Sequence, residues 1–324
     1  MFVLGLDVGY SAVKAAWGDP ESLAPATITL PAIAGPRSNV SLSLMGTAFD
    51  KGAEVWIDGA PWLAGIEFHE INAAARELHH DYPSTKQYRA LALAAIDAPG
   101  VAEIDSLVTG LPVVHYQDES KRAYLETLLS GQHVIRPGRV VNVKKVTVIP
   151  QPAGTFMDMA SRPAHEGLLN NATVLVVDPG YFSVDWVIVR EGVLSRHLSG
   201  SSMNAVSTIL EHVDKGLRND RKGHPGVDAL ERSLRQGSRT VHIYGAPVDL
   251  SPYLDRAAAE LAKPVLTAIN SMLRHHHSSI DVIIMTGGGS GMFLRHFAAE
   301  YPQSMVIASP AAHMSNAVGF WLYS

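Results

Sequence analysis

The chain has 324 residues, 47% of them hydrophobic and 18% charged, and 26 basic against 31 acidic residues leave a net charge of −5. That length gives a prior of two domains, each able to bury a core without staples, and the composition excludes disorder as the dominant state. The weakly acidic balance argues against a broad cationic face that grips nucleic acid, and the absence of cysteine excludes disulfides, thiolate metal sites and cysteine nucleophiles.

The N-terminus, Met1-Phe2-Val3-Leu4-Gly5-Leu6-Asp7, lacks the charged lead and longer apolar run of a signal peptide. No stretch approaches the ~20 apolar residues that a membrane helix needs. The expectation is a soluble cytoplasmic protein with no direct membrane contact.

Leu4 to Val8 reads as a buried strand with Asp7 at its end. Gly9 allows a tight turn, and the run through Trp17 reads as a second strand, so the pair is a β-hairpin. Pro20 to Asp58, rich in Pro, Gly and Ser, reads as strands and loops. Trp56 and Trp62 flank Asp58-Gly59 and predict a hairpin stabilised by aromatic packing. Ile104 to Leu111 is a strand. Asp118 starts a helix through Leu129, with Tyr124, Leu125, Leu128 and Leu129 as its apolar face. Arg136, Arg139, Lys144 and Lys145 read as a solvated hairpin. Val146 to Ile149 is a strand stopped by Pro150, and Pro152 to Ala160 a helix with Pro in its first turn.

Leu175 to Asp178 is a buried strand. The turn Asp178-Pro179-Gly180 leads to a further strand through Val189. Ser201 or Ser202 is the expected cap of a helix through Val213, and Lys215 to Pro225 is the expected loop after it. Pro264 either kinks or breaks a helical pattern between Leu254 and Leu273. Three adjacent histidines, His275-His276-His277, cannot all face one metal from a regular helix and read as a solvated helix end, as does His79-His80. Asp281 to Met285 is a buried strand ending in Thr286-Gly287-Gly288-Gly289. A helix runs on to Glu300, and the last helix spans Ala311 to Leu322. Strands alternating with helices predict an α/β fold with a mixed or parallel sheet covered on both faces.

The two hairpins share Asp-x-Gly-Tyr-x-x-Val in the same strand context, 171 positions apart from Asp7 to Asp178. This predicts a duplication, with the Asp and Gly of each copy facing one cleft. Backbone N–H groups in such turns converge on an anion, and Gly9 and Gly180 let the main chain approach it. Lys14 could neutralise a phosphate, and Ser11 and Ser183 could donate to it. Asp7 and Asp178 could hold Mg²⁺ through its waters. Gly287-Gly288-Gly289 offers a flat backbone surface for a base or sugar. Competing motifs are missing: there is no Walker A loop, no intact dinucleotide fingerprint and no nucleophile elbow. His69-Glu70 and His165-Glu166 lack the second His of a zincin.

The order of these segments resembles the actin-like ATPase superfamily. Asp7-Val8-Gly9 and Asp178-Pro179-Gly180 stand as its two phosphate loops, Pro150-Gln151-Pro152-Ala153-Gly154 as its connection, Thr286-Gly287-Gly288-Gly289-Ser290 as its adenosine loop and Asn316-Ala317-Val318-Gly319 as its second connecting helix. Within it the chain is most similar to the ParM/StbA plasmid-segregation proteins and small archaeal actin relatives. The resemblance implies two duplicated actin-like (RNase H-like) domains with a nucleotide cleft between them, residues 1–155 plus 309–324 and residues 156–308.

It also implies a Mg-dependent ATPase that forms ADP and phosphate and polymerises head to tail into nucleotide-dependent filaments. A plasmid-segregation role would bring a DNA-binding adaptor protein at a centromere, without direct nucleic-acid binding. Gln151 would orient the attacking water, and Asp7 and Asp178 would hold hydrated Mg²⁺. Gly9, Tyr10, Ser11, Lys14, Gly180, Tyr181, Phe182 and Ser183 would surround the phosphates of ATP or ADP, with Asp185 supporting the second loop. Gly287, Gly288, Gly289 and Ser290 would meet the adenosine. Pro179 and Tyr181-Phe182 depart from the small residues often found in the second loop. The alternative is a non-polymerising sugar or acid kinase of the same fold, with Asp185 as its carboxylate. A chaperone-type ATPase would need an attached peptide-binding domain, for which the chain has no room.

Overall fold

The computed structural model describes residues 1–40, 52–71, 81–220, 222–275 and 279–323. Contacts divide the chain into two units, Met1–Gly167 with His313–Ser324, and Leu168–Ala312. The His79-His80 pair, His276, His277 and part of the predicted Pro20–Asp58 region lie outside the described residues.

Unit 1 opens with β1 (Val3–Val8), β2 (Ala12–Gly18), β3 (Ala26–Pro31), β4 (Ala34–Pro36), β5 (Ala53–Ile57) and β6 (Ala60–Ala64). Helix α1 (Lys86–Asp97), β7 (Glu103–Ile104), β8 (Ser106–Leu111), α2 (Val113–Gln117) and α3 (Glu119–Leu129) follow. Then come the hairpin β9 (Gly131–Arg136) and β10 (Arg139–Val143), β11 (Val146–Pro150), α4 (Gln151–Ala160) and a single turn, α5 (Glu166–Leu169), in which the chain passes from unit 1 to unit 2. Unit 2 holds β12 (Thr173–Pro179), β13 (Val184–Arg190), β14 (Val193–Ser202), α6 (Val206–Asn219), α7 (Val227–Arg235), β15 (Thr240–Ile243) and β16 (Ala246–Asp249). It continues through α8 (Ser251–His275), β17 (Val282–Met285), α9 (Ser290–Glu300) and β18 (Met305–Ala308), after which α10 (Ser315–Leu322) belongs to unit 1.

The main sheet of unit 1 has the order β11-β8-β1-β2-β3, and that of unit 2 the order β18-β17-β12-β13-β14. In each, an antiparallel meander of three strands continues into two parallel strands. The duplication predicted from the two hairpins is therefore a repeat of whole sheets. Central strands buried on both faces read as unbroken apolar runs, as β1 and β12 do.

One face of the unit 1 sheet packs Leu4, Leu6 and Leu107 against Leu91 of α1 and Leu125 of α3. On the other, Val108 and Ile149 meet Phe320 of α10. Glycine sets the closeness on that second face. A Cβ on Gly5 would lie 2.2 Å from the Ala317 carbonyl oxygen, and one on Gly319 only 1.6 Å from that of Gly154. Thr155 donates to the Asn316 side chain at 2.7 Å, and Ser315 donates to Asp158 beside it, so α4 and α10 are joined backbone against backbone and by buried hydrogen bonds.

Several expectations are corrected. Tyr124 is exposed, and α3 buries only Leu125 and Leu129 fully. Trp56 is registered with Pro61 and Trp62 with Val55, so the two indoles sit on opposite faces of their hairpin, where they cannot pack together. Ser201 and Ser202 belong to β14, and α6 starts after Ala205. Of the kink and the break expected at Pro264, the break is excluded, because α8 runs unbroken through it. Its exposed ring faces outward, while Leu261, Ala262, Val265 and Leu266 are buried around it, and that packing holds the helix through the missing N–H. In the basic hairpin Lys144 and Lys145 are exposed as expected, while the half-buried Arg136 and Arg139 donate to opposite oxygens of Asp97 at 2.6 and 2.7 Å. Burial raises the Asp97 pKa, but these two guanidinium groups outweigh it and the net shift is downward.

The expected loop from Lys215 begins as the last turn of α6 and is then gathered by a buried carboxylate. Asp214 accepts from Arg218 at 2.8 Å, His224 at 2.9 Å and the Gly226 N–H at 3.0 Å. Burial pushes Asp214 up, but His224, Arg218 and the Gly226 N–H together hold it below the ordinary carboxylate range. A lowered folded-state pKa stabilises above the unfolded value and is lost as pH falls through the folded one. Asp214→Asn should lower the melting temperature at pH 7, and the gap to wild type should close below about pH 4. Gly319→Ala drives a methyl into a backbone carbonyl that cannot turn aside, and chemical denaturation should show a loss of about 3 kcal/mol or more.

Candidate functional site

In unit 1 the antiparallel register pairs Asp7 with Lys14, which puts both side chains on one face of the β1–β2 hairpin. The Gly9 N–H closes the turn onto the Ala12 carbonyl at 3.1 Å. Asp7 is 3% exposed and takes two donors, Lys14 Nζ at 3.0 Å on one oxygen and Gln151 Nε2 at 2.9 Å on the other. Gln151 reaches it because β1, β8 and β11 are parallel and end at the same sheet edge, with α4 starting at Gln151. Gly110 clears the path, since a Cβ there would stand 2.8 Å from Gln151 Cγ.

Behind this edge Thr109 donates to the Leu6 carbonyl at 2.7 Å. The ring of Tyr10 stacks on Tyr82 at 4.6 Å, and Tyr82 meets Tyr88 edge to face at 5.3 Å. Burial, and then the negative charge of Asp7, push the Tyr88 phenol far above its usual pKa, so it stays neutral.

Unit 2 repeats the turn with different side chains. The Gly180 N–H donates to the Ser183 carbonyl at 2.8 Å. Asp178 is registered with Asp185 where unit 1 has Asp7 opposite Lys14. These carboxylates, 8% and 3% exposed, share one face of the hairpin. Asp185 accepts from Ser183 at 2.5 Å and from Ser201, so the Ser183 hydroxyl points at its neighbour on the hairpin. The carbonyls of Gly180 and Tyr181 accept from the Val206 and Ser207 N–H groups at the start of α6, at 3.2 and 2.8 Å. Phe182 is half-buried.

Two glycines of the run are sterically required and one is not. Gly287 has a φ of +74°, and a Cβ there would fall 2.0 Å from Asp178 Oδ1. The Gly289 N–H donates to the Pro179 carbonyl at 2.9 Å, and a Cβ at Gly289 would meet Val206 at 2.5 Å. Gly288 is exposed with nothing near its Cβ position. Ser290 donates its N–H to the Gly287 carbonyl at 3.3 Å and opens α9.

Beside that first turn lies a cavity of about 220 Å³ lined by Arg239, Leu254, Asp255, Ala258, Met292 and Arg295. Arg295 spans it, donating to the Asp255 carbonyl at 3.1 Å and pairing with its carboxylate at 3.2 Å. Sequence reasoning missed these residues, as it missed Thr109 and Tyr88. They come from separate segments and carry no spacing of their own. Among the described residues no group of three or more His, Asp or Glu is placed to hold a metal by itself, and no helix is long and apolar enough to cross a membrane.

Comparison with known proteins agrees with this layout. The family described as actin like proteins N terminal domain matches residues 5–154, and the archaeal actin homologue MreB-like C-terminal family matches residues 176–299. No curated protein sequence matches. Among solved structures, the archaeal actin homolog Ta0583 superposes with a TM-score of 0.76 at 19% identity, covering 99% of this chain and 98% of its own. A complex of that protein with ADP gives 0.73 at the same identity and coverage. The 15-stranded ParM filament from Clostridium botulinum gives 0.74 at 16% identity, with 99% and 98% covered.

The glycine run separates by substitution. Gly287→Ala, with a positive φ and a carboxylate oxygen in the way, should lower the melting temperature. Gly288→Ala should leave it in place, and equal effects in thermal unfolding would contradict this division of roles.

Proposed function

The chain belongs to the actin-like proteins, and on that footing we propose that it is a Mg-dependent ATPase assembling into nucleotide-dependent filaments that serve plasmid DNA segregation. The observation that carries the reading is Asp7 at the end of a buried strand, taking Lys14 on one oxygen and Gln151 on the other. Each unit contributes one phosphate loop, Gly9-Tyr10-Ser11 in unit 1 and Gly180-Tyr181-Phe182-Ser183 in unit 2. The Asp255–Arg295 cavity beside Gly287–Ser290 is the proposed seat of the base.

The residues suit a hydrated divalent cation. Asp178 and Asp185 are buried carboxylates at directly opposed positions of one hairpin, and carboxylate oxygens suit the waters of such an ion. Asp7 and Asp178 would hold Mg²⁺ through its waters. When bound it would offset the charge of the phosphates and of these carboxylates.

Lys14 neutralises phosphate charge from the hairpin. An ionised carboxylate only accepts, so the amide nitrogen of Gln151 must face Asp7, and its carbonyl oxygen is the atom that orients the attacking water. A neutral amide positions a water well and takes its proton poorly, which suits slow hydrolysis used as a timer. Phosphate loss would then weaken head-to-tail contacts, which as heterologous, non-closing contacts give filaments. The ParM filament among the similar structures supports self-association. A DNA-binding adaptor would carry the plasmid in the cytoplasm. Asp185, the carboxylate a small-molecule kinase would use as its base, is buried and takes the Ser183 and Ser201 hydroxyls, which weighs against that alternative.

Sedimentation with Mg-ATP, Mg-ADP or no nucleotide, with phosphate followed in the same tubes, tests the reading. Pelleting with ATP that reverses as phosphate appears is expected, and phosphate release without pelleting at any protein concentration would refute it. Gln151→Ala should slow turnover by about 10²-fold while nucleotide affinity holds.

A further inference from the structure

Three segments of unit 2 build the cavity beside Gly287–Ser290. Helix α8 supplies Leu254, Asp255 and Ala258, α9 supplies Met292 and Arg295 one turn apart, and Arg239 enters from the residue before β15. The Leu250 N–H donates to the Arg239 carbonyl at 2.8 Å, which ties the backbone of that residue to the start of α8. Leu254 and Ala258 are buried and Met292 is half-buried, so the walls are apolar and the polar groups are three charged side chains. No amide side chain lines the space. At about 220 Å³ it suits one ring system rather than a whole nucleotide.

The three charges are not equally committed. Arg295 is engaged within the protein: it donates to the Asp255 carbonyl at 3.1 Å and to His296 Nε2 at 3.3 Å, and pairs with Asp255 Oδ1 at 3.2 Å. Among the described residues no donor reaches the other oxygen of Asp255, and the Arg239 side chain makes no hydrogen bond or ion pair. The exposed Asp249 only feels the charge of Arg239. What is left to meet a ligand is a guanidinium fork, which only donates, and a carboxylate oxygen, which only accepts.

Guanine matches both. Its O6 and N7 are adjacent acceptors that take an arginine fork, and its N1–H and 2-amino group are adjacent donors for a carboxylate. Adenine carries an amino group beside N7, where an amide fits and an arginine does not, and a bare lone pair at N1 that a carboxylate repels. We infer that Arg239 and Asp255 read the base and that guanine is the base they favour, so guanine nucleotides bind this chain more tightly than adenine nucleotides. The inference rests on the cavity being the seat of the base and adds which base it prefers. ATP still meets the same apolar walls and remains a substrate.

Calorimetric titration of the full chain with Mg-GDP and Mg-ADP tests it. GDP should bind about tenfold more tightly, the return on one two-bond contact. Arg239→Gln supplies the amide that fits adenine and should move the preference toward ADP. Asp255→Asn puts a donor where there was an acceptor, and it should weaken GDP and strengthen xanthosine diphosphate, whose 2-oxo group replaces the 2-amino group of guanine. A merely structural role for either residue would weaken all three nucleotides together. Equal binding of GDP and ADP, or tighter ADP, overturns the inference and leaves the nucleotide reading standing. A GDP preference that survives both substitutions overturns the assignment to these residues. Wild-type protein that binds neither nucleotide, or binds inorganic tripolyphosphate as tightly as both, overturns the base seat as well. Should Asp255→Asn unfold the chain by depriving Arg295 of its partner, Arg239→Gln decides alone, since it removes no side-chain bond within the described residues.

Discussion

Asp7 places a negative charge at the end of a strand whose every residue is buried, and a charge in that position has to be met where it stands. Two constraints meet it. The tight turn at Gly9 fixes the hairpin register, and that register brings Lys14 opposite Asp7. The parallel pairing of β1, β8 and β11 ends all three strands on one edge, so the first residue of α4 arrives beside the same carboxylate. Lys14 supplies the opposite charge and Gln151 a neutral hydrogen bond to the other oxygen. The arrangement is thus a structural requirement of unit 1.

Glycine makes the approach possible. Gly5, Gly110, Gly154 and Gly319 lie where a methyl group would strike α10, Gln151 or a neighbouring carbonyl. Their service is closeness rather than flexibility. With these side chains absent, α4 and α10 touch through their backbones and lie flat on the sheet, and Phe320 fills the space beside them. In unit 2 the same role falls to Gly287 and Gly289, which admit Asp178 and the Pro179 carbonyl.

The repeated scaffold carries unlike chemistry. The position that holds Lys14 in one hairpin holds Asp185 in the other, so one unit closes its charge internally while the other presents two carboxylates with serine donors. A duplicated sheet allows this because hairpin geometry depends on the turn and the apolar core. Polar residues at the strand ends can diverge without disturbing either.

What the sequence settled by itself was local. Asp-x-Gly-Tyr-x-x-Val names a turn and its flanking strands within a dozen residues. Its recurrence announced the duplication, and the order of motifs carried the actin-like resemblance. The strand after Asp281 and helix α9 were legible for the same reason, since period and turn chemistry act over a few residues. Tertiary structure alone decided which donor meets which acceptor across long separations. Asp7 and Gln151 lie 144 positions apart, and only parallel strand pairing joins them. Burial on either side of Pro264 overrode its propensity to end a helix. Asp97 drew in Arg136 and Arg139 from 39 and 42 positions away, and strand register parted Trp56 from Trp62. In each case the deciding term was packing or charge compensation between distant segments, which no window of sequence contains.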